Sequence, residues 1–105
     1  MIAHIAFYKL KPEVDPEALE GMVRTTRSLL LKISEILSVR SGRNTDEESE
    51  WPFFFSLEVA SMAKLEMMKD DALYMKFLET VIRPNTTGEF AFNFETDPSQ
   101  DLRYS

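Results

Sequence analysis

The chain has 105 residues, 44% of them hydrophobic and 29% charged, with a formal net charge of -6. That length holds one domain, and a chain this size buries only about two thirds of its unfolded surface, so its core is modest and a partner subunit would help it. The acidic balance argues against a general nucleic-acid binder, and the absence of cysteine removes disulfides, thiol catalysis and thiolate metal sites.

A single histidine rules out a two-histidine metal site within one chain. No apolar run approaches the ~20 residues of a membrane span. Met1-Ile2-Ala3-His4 lacks the charged start and apolar core of a signal peptide. The expected location is therefore cytoplasmic, with neither a membrane nor a nucleic acid as partner.

Residues 2–9 read as a strand, short and rich in Ile, Phe and Tyr, ended by Leu10-Lys11-Pro12. Asp15 is suited to cap a helix, Pro16 to its first position and Glu17 to its dipole. Helical spacing of Leu19, Met22, Val23, Thr26, Leu29, Leu30 and Ile33 carries that helix to about Ile33, with Glu20 and Arg24 spaced as an i,i+4 pair. Gly21 inside it costs about 1 kcal/mol against alanine, which a close approach of helix to sheet would explain. Residues 36–44 read as a second strand. Residues 45–50, with four acids, are a solvated connection, since they lack the spaced oxygens and turn glycine of a calcium loop.

Residues 52–59 are a third strand. Ser61 caps a short helix over residues 62–69, and a second helix runs from about Asp71 to Ile82, its apolar stripe carrying Leu73, Tyr74, Phe77, Leu78, Val81 and Ile82. Arg83-Pro84-Asn85 stops it. Gly88 precedes a last strand over residues 89–96. Residues 97–105 read as a C-terminal tail on a domain of residues 1–96.

The order strand, helix, strand, strand, helix pair, strand is the split β-α-β-β-α-β unit: an α+β, ferredoxin-like four-stranded antiparallel sheet with helices on one face. Such a sheet should alternate apolar and polar residues, yet both faces of the first strand are mostly apolar. Ile2, His4, Ala6 and Tyr8 share one face and Ala3, Ile5 and Phe7 the other. Phe90, Phe92 and Phe94 share one side of the last strand. Helices cover only one face, so the other is expected to pack on a second copy as a two-fold homodimer.

The opening strand with its histidine and Phe7-Tyr8-Lys9-Leu10-Lys11-Pro12, together with the Gly42-Arg43-Asn44 ending of the second strand, resembles the stress-responsive A/B barrel (Dabb) family. The resemblance implies a ferredoxin-like protomer that pairs sheet to sheet as a dimeric α+β barrel. Many members have no assigned reaction. Others are polyketide cyclases, working without metal or organic cofactor, that use a first-strand histidine and a His-Pro-x-His segment opening the last helix. The fold is shared with antibiotic-biosynthesis monooxygenases. His4 stands at the first-strand histidine. The His-Pro-x-His positions read Asp71-Ala72-Leu73-Tyr74, and a tyrosine just upstream falls on Met68.

His4 and Tyr74 are thus the candidate catalytic residues. Each also reads as a core side chain. As a pair, His4 would act as general base and Tyr74 would polarise a carbonyl, with the two within about 3–6 Å directly or through water. Eight phenylalanines, Trp51 and the methionines Met22, Met62, Met67, Met68 and Met75 read as core, or as the lining of a site for a small apolar ligand. Arg40 and Arg43 lie on opposite faces of the second strand, and at least one of Asp70 and Asp71 caps a helix. Two functions follow: a small homodimer that is non-catalytic or binds an apolar molecule, or a cofactor-free enzyme on a small carbonyl or aromatic substrate.

Overall fold

In the computed structural model, which describes residues 1–97, strand β1 (Ile2–Leu10) is followed by α1 (Pro16–Leu30), β2 (Ser38–Arg43), β3 (Phe53–Val59), α2 (Met62–Lys69), α3 (Ala72–Phe77) and β4 (Thr86–Glu95). The tail expected over residues 97–105 falls, beyond Asp97, outside the described residues. The four strands form one antiparallel sheet in the order β2-β3-β1-β4. This is the ferredoxin-like arrangement that the element order implies.

Local chemistry sets the helix starts. The Asp15 carboxylate accepts from the Ala18 amide at 2.8 Å, with Pro16 at the first helical position. Ser61 Oγ accepts from the Lys64 amide at 3.2 Å, and Asp71 Oδ1 from the Leu73 amide at 2.8 Å. Each satisfies an amide that the first helical turn leaves without a partner. Helix α1 buries Met22, Thr26 and Leu30. It is pinned to β2 by Ser41 Oγ donating to the Val23 carbonyl at 2.7 Å.

Five expectations shift. The first helix ends at Leu30 rather than near Ile33, though Ile33 and Ile36 stay buried in the connection to β2. Glu20 does not pair with Arg24. It lies 3.3 Å from Arg43, because α1 crosses the end of β2 there. A Cβ built on Gly21 meets nothing within 4 Å, so no close approach of helix and sheet requires this glycine. The last helix is not a single α-helix: α3 passes at Leu78 into a π-helical turn, Leu78–Ile82, closed by the Arg83 amide on the Leu78 carbonyl at 2.8 Å. The last strand also starts earlier than residue 89, taking in Thr86–Gly88, with a register break against β1 between Lys9 and Leu10.

The pairing defines both faces of the sheet. Under the helices lie the cross-strand rows Val39–Leu57–His4–Asn93, Ser41–Phe55–Ala6–Ala91 and Arg43–Phe53–Tyr8–Glu89. Phe53, Phe55, Leu57, Ala6 and Tyr8 are buried there with Leu30, Leu65, Met68 and Phe77. The open face carries Ser38–Glu58–Ala3–Phe94, Arg40–Ser56–Ile5–Phe92 and Gly42–Phe54–Phe7–Phe90. Arg40 and Arg43 are therefore on opposite faces, as the strand alternation predicts.

Candidate functional site

His4 sits on β1 beneath the helices and is 7% exposed. Its Nδ1 lies 2.7 Å from Oδ1 of Asn93, its cross-strand neighbour on β4. Since a carboxamide oxygen only accepts, Nδ1 is the donor, and in the neutral ring Nε2 keeps the lone pair. The imidazole leans on Phe55, ring centroids 5.9 Å apart. Phe55 meets Phe77 edge-on at 5.2 Å, and Phe77 meets Tyr74 at 6.0 Å. His4 and Tyr74 thus share the helix-side core, linked through two phenylalanines, and no hydrogen bond joins them among the described residues.

Tyr74 is buried against Phe77 in this core. Burial pushes its hydroxyl up to about 12, and the Glu89 carboxylate adds to the shift. Tyr8 is fully buried in the same layer and stacks on Phe55 at 6.0 Å. Burial raises the Tyr8 hydroxyl far above the usual range. The neighbouring Glu89 carboxylate raises it further. A buried phenol is costly to ionise, and a neighbouring carboxylate raises that cost.

Asn93, Tyr8 and Glu89 are the polar partners that the sequence reading missed. The signal was present in principle, since antiparallel pairing of the first and last strands places a polar residue of the 89–95 segment opposite His4 and another opposite Tyr8.

Of four clefts among the described residues, none is lined by His4 or Tyr74. One, of about 350 Å3, opens at the end of the open face where the loop between β2 and β3 rises, walled by Phe7, Trp51, Phe90 and Phe92 with Asn44 and Ser49 at its edge. Another, of about 430 Å3, lies between the π-helical turn and β4, with Tyr8 and Glu89 among its lining. Among the described residues no group of three imidazole or carboxylate side chains is placed to hold a metal ion.

The open face carries the strongest surface feature. Phe90, Phe92 and Phe94 are 54%, 47% and 53% exposed. Their rings follow one another along β4 at 6.1 and 6.2 Å, and Trp51 packs on Phe90 at 4.9 Å. Phe7 stacks against Phe54 beside them, and the missing side chain of Gly42 makes room for the Phe54 ring, which a Cβ there would meet at 3.1 Å.

The comparisons with known proteins agree with this architecture. The model of the Stress responsive A/B Barrel Domain matches residues 2–96. Among solved structures, a Dabb-family protein with a ferredoxin-like fold from Mesorhizobium loti superposes with a TM-score of 0.78 at 17% identity, covering 90% of this chain and 95% of its own. A dimeric ferredoxin-like protein of unknown function from Thermobifida fusca gives 0.80 at 19%, covering 90% of each chain. A hydroxynitrile lyase from Passiflora edulis gives 0.77 at 13%, covering 92% and 94%. A search of curated proteins finds no match. With its first strand, its four-stranded sheet and its helices all inside the matched span, the chain belongs to the stress-responsive A/B barrel domain family.

Proposed function

We propose that this protein is a homodimer joined through the open face of its sheet, and that it works in the cytoplasm as a binding protein for a small apolar molecule. The observation that carries this reading is the aromatic face of β4: three phenylalanines about half exposed in one unbroken row with Ile5, Phe7 and Trp51 beside them. A contiguous apolar surface of this kind marks an interaction site, and burying the exposed half of each phenyl ring contributes about 1 kcal/mol. A two-fold pairing lets the same patch serve both partners. The Thermobifida fusca neighbour is described as dimeric, which supports the same reading here. The aromatic cleft at the end of that face has the walls to hold an apolar ligand, with Asn44 and Ser49 to orient it.

The test is Phe92→Glu, which sets a charge in the middle of the row. The variant is expected to keep its far-UV spectrum and to sediment as a monomer at concentrations where the parent protein is a dimer. A variant that stays dimeric removes the open face as the interface.

A second reading, a cofactor-free enzyme on a small carbonyl or aromatic substrate, of the cyclase or monooxygenase kind, rests on the His4–Asn93 hydrogen bond. That bond fixes the tautomer in which Nε2 could take a proton from carbon, with the Tyr74 hydroxyl steadying the resulting oxyanion. His4→Ala separates the two. As a core histidine it costs about 1–3 kcal/mol of stability through lost packing and hydrogen bonding and leaves the dimer intact. As a general base its loss carries the same stability cost, because the ring is buried and hydrogen-bonded, and in addition abolishes turnover.

A further inference from the structure

Two departures from regular structure meet at one place on the helix side. The π-helical turn Leu78–Ile82 forms one wall of the cleft of about 430 Å3. The other wall is the start of β4, where the ladder to β1 runs Lys9 to Gly88 and then Leu10 to Thr86, skipping Thr87. Both π-turns and bulges are enriched beside functional sites, where they re-aim side chains at a cost in regular hydrogen bonding.

The charges in this cleft are unbalanced. Arg83 at its rim is engaged one turn back by Glu79. Glu89, opposite Tyr8 on the neighbouring strand, makes no ion pair among the described residues. An ionised carboxylate without an ion-pair partner keeps acceptor positions for a donor. Next to it Leu78 and Ile82 present an apolar wall. A carboxylate ligand would meet repulsion here, and a neutral hydroxyl would gain a hydrogen bond without a charge partner. An ammonium on a compact apolar group satisfies both the charge and the wall.

We propose that the cleft between the π-helical turn and the start of β4 binds a small organic ammonium, its charge against Glu89 and its apolar part against Leu78 and Ile82. This site lies on the helix side of the sheet, apart from the aromatic face assigned to dimerisation, so either assignment can fail without the other.

Three probes of one shape and different charge test it: benzylammonium, benzyl alcohol and benzoate, titrated at pH 7 and low salt into the full chain and followed by methyl and amide NMR. Benzylammonium is expected to bind at least tenfold more tightly than benzyl alcohol, and benzoate not at all, with shifts centred on Leu78, Ile82 and Gly88. Glu89 is exposed, so Glu89→Gln is expected to fold as the parent does and to lose at least fivefold in benzylammonium affinity while benzyl alcohol is unchanged. The proposal is overturned by equal binding of the amine and the alcohol, by no binding of the amine, by an unaltered affinity in Glu89→Gln, or by shifts confined to Trp51, Phe90 and Phe92. Translational diffusion in the same samples reports the subunit state separately.

Discussion

Gly21 occupies the interior of α1 with open space where a side chain would begin. Glycine there costs conformational entropy and returns no packing, so Gly21→Ala is expected to raise stability by about 0.5–1 kcal/mol in denaturant unfolding, with no change in subunit state. The buried tyrosines make the opposite kind of contribution. Tyr74 is neutral in the folded chain up to about pH 12, whereas in the unfolded chain its hydroxyl ionises near 10. Its contribution is complete below pH 10 and is lost as pH rises from 10 toward 12, because only the unfolded state then releases the proton. Unfolding free energy should fall across that window, and Tyr74→Phe should flatten the fall by about 1 kcal/mol per pH unit.

At this scale the first strand was readable, because period-two alternation sends His4 and Tyr8 to one face. Their partners were not, because Asn93 and Glu89 depend on a register between segments nearly 90 residues apart. The same holds for Glu20, whose actual neighbour Arg43 comes from another element rather than from its own helix.

Among the elements, the helix starts were legible because capping is local chemistry: Asp15, Ser61 and Asp71 each bond an amide two or three residues ahead. Asp15→Ala should therefore cost about 1 kcal/mol in thermal or denaturant unfolding, while Asp15→Asn or Asp15→Ser should recover most of it. The end of the last helix was not legible. An apolar stripe running to Ile82 suits an α-helix and an α-helix that widens by one residue alike. The choice depends on what receives the final carbonyls. Here the Asn85 side-chain Nδ2 donates to the Val81 carbonyl and the Thr86 hydroxyl to the Ile82 carbonyl, both at 2.8 Å. Those bonds let the helix stop at Ile82 and let β4 begin at Thr86. The widened turn and the early strand together open the cleft beside Tyr8.

For the whole molecule, the informative pattern is that both sides of the sheet are apolar while helices occupy only one. The sequence shows this directly, since β1 has no polar face and the phenylalanines of β4 alternate with Ala91, Asn93 and Glu95. What the strand order adds is position: β4 lies at the edge beside β1, so its phenylalanines extend the row begun by Ala3, Ile5 and Phe7, and polar Ser38 and Arg40 fall at the opposite edge. The exposed area is thus one stripe rather than scattered rings, which favours a single defined contact over general stickiness. The most direct measurement is native mass spectrometry of the purified full chain at micromolar concentration, which reports subunit number and any retained small molecule together. A mass of two chains, with or without an additional small-molecule mass, is the result expected from a shared aromatic face. A mass of one chain across the micromolar range would contradict it and leave Phe90, Phe92 and Phe94 needing another cover.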